Sequence, residues 1–298
     1  MIPAHAPAGR RRFLAASAAS LSMMAIPRSA LAAAPSGRTP LHLGLVTYQW
    51  GKAMSLPDLL AVCERTGFTG VELRSTHAHG VEPGMRADAR TEARRRLADS
   101  PVKLVGLGSA CEYHATDPAV VRRNIDETKA FIDLCAELGG TGVKVRPNGL
   151  PKDVPVEKTL DQIGRALRDV GDHAAKAGQQ IRVEVHGAGT QEIPHMRTIM
   201  EVADHPHVVI CWNCNPTDLA GAGFEANFDS LAPWMGTVHI HDLRPGRVAY
   251  PWERLFPRLT ACSAPGFTGW CLLEDGSVPD DIPSAMEENR RIFDRFTA

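Results

Sequence analysis

The sequence lacks a charge excess of either sign. Its 33 basic side chains stand against 34 acidic ones, a net charge of −1 over 298 residues. A chain so balanced offers a poor electrostatic footprint for a nucleic-acid backbone, which calls for clustered positive charge. Also missing is any apolar run of the roughly 20 residues that cross a bilayer as a helix. No internal repeat or low-complexity tract is present, and nothing after the first 34 residues marks a second domain. Cysteine is present but incomplete. Seven cysteines cannot all pair within one chain. Cys211-Trp-Asn-Cys214 has the spacing of a zinc or redox motif, yet a four-cysteine zinc site needs a second such pair, and there is none. The first cysteine of the pair falls inside an apolar strand-like run, not at a helix start where a redox pair sits. Cys63, Cys135 and Cys271 lie among apolar neighbours and read as small core residues.

Residues 1–34 differ from the rest. Arg10, Arg11 and Arg12 precede Phe13 and Leu14, a small apolar stretch runs to Ile26, and Ala30-Leu31-Ala32 offers small residues for a peptidase. This is the layout of an export signal, and Arg-Arg-x-Phe-Leu resembles the twin-arginine type. Cleavage is expected near residues 32–34. It predicts a periplasmic or secreted protein, exported already folded, with no stable membrane anchor. The four arginines of this segment are unaccompanied by any acid, so residues 35–298 carry about −5.

From residue 41 short apolar runs alternate with longer amphipathic ones. The pattern predicts strands at 41–47, 69–73, 102–107, 141–146, 181–185, 207–212, 236–240 and 269–273. Helices are predicted near 56–66, 86–99, 118–138, 156–177, 193–203, 224–234, 251–261 and 280–296. Ser55 and Asp117, each followed closely by proline, read as N-caps, and Gly67 and Gly139 as C-caps. Eight strand–helix units in about 264 residues imply an α/β fold of one domain over 35–298, a closed (β/α)8 TIM barrel.

Four of the predicted strands end on a polar group. IRVEVHG carries Glu184, VVICWNCN carries Asn213, TVHIHD carries His239 and GWCLLED carries Glu274. A parallel barrel gathers strand ends at one rim. Two carboxylates, an imidazole and an amide oxygen meeting there suit a divalent cation. Alternation along the strands puts His186 on the face of Glu184 and His241 on that of His239. Other candidates for substrate contact lie on the same rim: His77, His79, Glu112, Lys144, Arg146, Arg244 and Trp212. Plain structural roles stand open to them too, solvation for the loop histidines and packing for the tryptophan. Glu72, inward by parity with Gly70, is an available partner for Lys144 and Arg146.

These segments together resemble the xylose isomerase-like barrels of the sugar phosphate isomerase/epimerase group. The resemblance covers roughly 41–296 and rests on GLVTYQW, GFTGVELR, VEVHGAG, VVICWNCNPTD, VHIHDLRPG and GWCLLEDG in order. It implies that Glu184, Asn213, His239 and Glu274 hold one divalent metal, with Mn2+ the first expectation and Mg2+, Co2+ or Zn2+ as alternatives. It implies further that Glu184 and Glu274 exchange a substrate proton from opposite faces, with His186 hydrogen-bonded to the substrate. Asn213 departs from the family, where aspartate is usual, and Asn215-Pro216 stand where many relatives have a histidine. The expected activity is a metal-dependent sugar isomerase or epimerase working through an enediolate. One alternative is a lyase eliminating a β-substituent from a keto-sugar, inosose or 3-keto-glycoside. Another is a sugar-binding protein with lapsed catalysis. A metal-dependent phosphodiesterase, on the endonuclease IV pattern, is disfavoured by the missing extra ligands and the acidic balance. The expected partner is a small sugar or glycoside, with a homo-oligomer left open.

Overall fold

The structure, a computed structural model, describes residues 38–298, and the export signal expected over 1–34 lies outside them. Eight parallel strands close into a barrel in chain order: β1 (His42–Val46), β2 (Gly70–Arg74), β3 (Lys103–Glu112), β4 (Gly142–Arg146), β5 (Gln180–Glu184), β6 (Val208–Trp212), β7 (Met235–Ile240) and β8 (Trp270–Leu273). Closure is made by β1 against β8, with His42 opposite Trp270 and Leu45 opposite Leu273. The helices are α1 (Leu56–Thr66), α2 (Ala87–Asp99), α3 (Pro118–Glu137), α4 (Val156–Lys176), α5 (Ile193–Ala203), α6 (Phe224–Leu231), α7 (Trp252–Thr260) and α8 (Ile282–Thr297). Short 3-10 turns occupy Pro216–Leu219 and Ala232–Trp234. No helix among the described residues is long and apolar enough to cross a membrane.

Local chemistry sets the ends of the helices. The Ser55 hydroxyl accepts from the Asp58 amide, the Asp117 carboxylate accepts from the Ala119 amide, and each helix carries proline in its first turn. Gly67 ends α1 in the left-handed region at φ 77°, where its amide reaches back to the helix carbonyls. The largest departure from the sequence pattern is β3, which runs to Glu112 instead of stopping at 107. Gly106, Gly108 and Ser109 interrupt its apolar pattern, but β2 and β4 on either side supply partners, and a register shift lets Glu112 pair with Arg146.

The main hydrophobic core lies between barrel and helices, where the outward faces of the strands meet α1 to α8. Inside the barrel the filling is of two kinds. Val46, Val105 and Leu272 form a small apolar plug with Tyr48 and Trp270. Beside it lies Arg182, fully buried, donating to the Val105 carbonyl (2.8 Å), the Thr141 hydroxyl (2.7 Å) and Gln180. Gly106 and Gly142 make room for that guanidinium; a Cβ at Gly142 would stand 2.9 Å from its Cζ. All seven cysteines are free thiols. Burial pushes the Cys63 thiol up to about 12 and Cys135 to about 11, which leaves both inert at neutral pH.

Candidate active site

The strand order brings four distant polar groups to the C-terminal rim. Glu184 is the last residue of β5, His239 is next to last in β7, and Asn213 and Glu274 follow β6 and β8. The Glu274 amide still bonds the Ile240 carbonyl at 2.8 Å, so the ladder fixes its position. One ligand atom from each of Glu184, His239 and Glu274 lies within 4.8 Å of the other two. That is about twice a cation–oxygen bond length, so the spacing leaves room for a single ion to reach all three. All three side chains are buried.

His239 is held from both sides. Its Nδ1 stands 3.1 Å from Glu274 Oε2 and 3.7 Å from Glu184 Oε1, and its Nε2 faces Glu72 Oε1 at 3.4 Å. Glu72 is fully buried, and neither its carboxylate oxygens nor His239 Nε2 has a formal hydrogen-bond partner among the described residues. They are each other's natural partners. With no cation present, the acids on both sides of the ring favour a proton on each nitrogen; with a cation bound, Glu72 would keep the proton on Nε2 and leave the Nδ1 lone pair for the ion, the way a carboxylate behind a metal-binding imidazole orients it. Burial pushes the Glu72 carboxyl up, but His239, Lys144 and Arg182 outweigh it and hold it below its ordinary value. The same balance acts on Glu184. Burial raises it, while the Lys144 ammonium at 2.8 Å and His239 hold it well below the usual carboxylate range.

The donor set fits a divalent cation on a further observation. Asn213 Oδ1 is buried, borders the cavity and has no hydrogen-bond partner among the described residues. An orphaned amide oxygen beside two carboxylates and an imidazole is what a hard cation takes up.

The cavity above these groups holds about 290 Å³ and is lined by Tyr48, Arg74, Arg146, Glu184, His186, Gln191, Asn213, Asn215 and Glu274. Among the residues expected to touch substrate, His186 and Arg146 face it. His186 Nδ1 donates to Asn148 Oδ1 at 2.7 Å, since the amide oxygen can only accept. The Asn148 amide nitrogen in turn bonds Glu112, which also takes Arg146 Nη2 at 2.6 Å. Glu112 therefore stands behind the wall as a brace. Burial lowers the pKa of His186, so the ring is neutral with Nε2 free as an acceptor. Lys144 is also behind the wall, 1% exposed and committed to Glu184. His241 donates from Nδ1 to the Glu274 carbonyl at 2.9 Å and so supports that strand end.

Besides Glu112, Lys144 and His241, four more expected contacts are not brought into the cavity. His79 spends Nε2 on the Arg74 carbonyl (2.8 Å) and Nδ1 on the Val81 amide (3.0 Å), which makes it a pin for the loop. His77 sits beside it against the Thr47 hydroxyl. Arg244 is turned onto Asp242 (2.6 Å) and lines a separate recess with Arg247 and Glu288. Trp212 points outward, packed on Phe228, with its indole N–H on the Tyr250 hydroxyl at 3.0 Å. Strand alternation accounts for this, since Asn213 next to it points inward. Conversely, Tyr48, Arg74, Asn215 and Gln191 line the cavity without having been read from the sequence as contacts. Parity would have found Arg74, two residues beyond the inward Glu72. Gln191 sits in a loop and carries no such signal.

A closed (β/α)8 barrel with two carboxylates, an imidazole and an amide oxygen at its C-terminal rim defines the class: α/β barrels with a polar site at the barrel mouth. Within that class the chain belongs to the xylose isomerase-like TIM barrel family, which it matches over residues 60–295. Solved structures with the same fold include 3-keto-D-glucoside 4-epimerase from E. coli (13% identity, TM-score 0.71, 86% of this chain and 99% of that one). An L-ribulose 3-epimerase matches at 18% identity and TM-score 0.70 (86% and 94%). The IOLI protein with a bound zinc atom matches at 16% and 0.70 (86% and 98%). At these identities the likeness is one of fold. No curated protein matches the chain.

Proposed function

We propose that the chain is a divalent-metal-dependent isomerase or epimerase of a small keto-sugar, acting by proton transfer next to a carbonyl. The observation that carries this reading is the convergence of Glu184, His239 and Glu274 within 4.8 Å under a small polar cavity, with the orphaned oxygen of Asn213 beside them. Sugar epimerases stand among the fold neighbours, which is consistent with that chemistry. Glu184, Asn213, His239 and Glu274 would hold the ion; the oxygen-rich set makes Mn2+ the first to test, ahead of Mg2+, Co2+ or Zn2+. When bound, such a cation supplies a fixed positive charge that polarises a carbonyl and stabilises the negative oxygen of an enediolate.

The chain's own residues do the rest. Glu184 and Glu274 come from strands on different sides of the mouth and both line the cavity, so one takes the proton and the other returns it. Lys144 keeps Glu184 ionised, so its carboxylate carries no proton when substrate arrives. His186 Nε2 accepts from a substrate hydroxyl and orients the sugar. Deuterium wash-in from heavy water into candidate ketoses, with Mn2+ supplied, tests the reaction. Exchange at a single carbon supports it; binding without exchange rejects catalysis, and release of a β-substituent replaces isomerisation by elimination. Glu184→Gln and Glu274→Gln are each expected to lower turnover by at least about 10²-fold with the fold retained. Asn213→Asp, which adds a negative charge to the donor set, is expected to tighten Mn2+ retention in a chelator titration.

A further inference from the structure

Arg74 is the charged group lining this site that no role above uses. It ends β2, lines the cavity, and its side chain is 21% exposed. Its guanidinium makes no hydrogen bond to any described residue. The nearest acid, Glu274 Oε1, is 3.6 Å away, and the Tyr48 ring lies against its face at 4.6 Å. The placement is nonetheless built. The Arg74 amide donates to the Thr47 hydroxyl (2.9 Å), and its carbonyl takes His79 Nε2 (2.8 Å). Gly108 lies beneath the stem, where a Cβ would stand 3.0 Å from Arg74 Cγ. Five N–H donors are thus held at the cavity edge with no hydrogen-bond acceptor among the described residues and one carboxylate, Glu274, at ion-pair distance.

The charges around the cavity point the same way. The charged groups that line the cavity, with their direct partners, are three cations, Arg74, Lys144 and Arg146, and three carboxylates, Glu112, Glu184 and Glu274. Lys144 is hydrogen-bonded to Glu184 and Arg146 to Glu112, whereas Arg74 faces Glu274 at 3.6 Å without a hydrogen bond. These charges balance, so a divalent cation would bring positive charge that Asn213 does not offset. An enediolate would supply one negative charge in passing. A carboxylate on the substrate would supply a second, and Arg74 has the free donors to receive it.

We propose that Arg74, with Arg146 also lining the cavity, forms an anion subsite, and that the substrate is a keto-sugar acid whose carboxylate binds there. This deepens the function proposed above and rests on it. A planar guanidinium meets a carboxylate through two parallel hydrogen bonds, a stronger contact than it makes with a neutral hydroxyl.

The test is calorimetric titration of the Mn2+-loaded protein with matched pairs that differ in one group, D-fructose against D-fructuronate and D-tagatose against D-tagaturonate. Metal content is measured alongside. We expect the acid of at least one pair to bind at least about tenfold more tightly than its neutral partner. Arg74→Gln is expected to abolish that preference while circular dichroism stays unchanged, and Arg74→Lys, which keeps the charge, to restore part of it. Equal affinity for ketose and acid, or a preference that survives in Arg74→Gln, overturns the subsite while leaving the sugar-and-metal reading in place. A Mn2+-loaded protein that binds neither member of either pair, or one that does not retain Mn2+, overturns both.

Discussion

Asp218 lies in the 3-10 turn Pro216–Leu219 that follows Asn213, fully buried in a chain of polar groups that does not line the cavity. The Tyr250 hydroxyl donates to its Oδ2 at 2.9 Å and accepts from the Trp212 indole at 3.0 Å, while Oδ1 has no partner among the described residues. Burial pushes this carboxyl from 3.8 up to about 7, with Tyr250 pulling only partly the other way. The sign follows from linkage. A carboxyl whose folded pKa is raised holds its proton more tightly in the native state, so folding is disfavoured as pH rises from the unfolded value to the folded one. Below about 4 both states are protonated and the group contributes nothing; above about 7 the whole penalty is present, at about 1.4 kcal/mol for each tenfold difference in proton affinity between the folded and unfolded chain. Asp218→Asn keeps the shape and removes the charge. Its stability relative to the parent is expected to rise between pH 4 and pH 7 and to level off above, read from urea midpoints at several pH values. A difference independent of pH would show that Asp218 is not protonated in the fold. At this scale the sequence was legible where a polar residue ended an apolar run, as Glu184, Asn213, His239 and Glu274 do. It was not legible where function depends on what a side chain's neighbours have already taken, as with His79 and Arg244.

The strands carry information that their hydrophobic pattern does not. Within β3 and β4, Gly106 and Gly142 look like weak points for a strand. Their reason lies across the barrel, on β5, where Arg182 must fit inside. No local window joins residues 106, 142 and 182. Gly108 and Ser109 hide the extension of β3 to Glu112, which rests on pairing with β2 and β4, while the other seven strands begin and end within about two residues of the alternation that marks them. The steric claim has a direct test. A Cβ at Gly106 would stand 2.4 Å from the Gly142 carbonyl oxygen and 2.8 Å from Arg182 Nη1, and a backbone oxygen in a closed ladder cannot step aside. Gly106→Ala is expected to cost about 1–3 kcal/mol, lowering the melting temperature by several degrees in a chain of this size. Gly84→Ala, at a loop position with open space around it, is the control and is expected to fall within about 0.5 kcal/mol of the parent. Equal melting temperatures for the two variants would remove the packing explanation for the strand glycines.

Across the whole molecule, the barrel closes only when β1 pairs with β8, so residues 42–45 and 270–273 must both be in place before the ring exists. The candidate ion site is subject to the same condition, because its three convergent ligands come from β5, β7 and β8. A chain exported unfolded would have to assemble ring and site after crossing, whereas a chain exported folded assembles both beforehand and carries its ion with it. The Arg10-Arg11-Arg12-Phe13-Leu14 segment fits the second route, and we propose that the protein follows it to the periplasm or the exterior. Replacing Arg10, Arg11 and Arg12 by lysine keeps the positive charge and removes the paired-arginine pattern. The variant is expected to accumulate in the cytoplasm with an intact N-terminus, protease-resistant and with the metal content of the exported form. The parent is expected outside the cytoplasm, shortened by 32–34 residues. Cell fractionation with intact-mass measurement and metal analysis reads all of these together. Export of the lysine variant at the parental level would assign the leader to a route that does not depend on prior folding, and the site would then have to fill on the far side of the membrane.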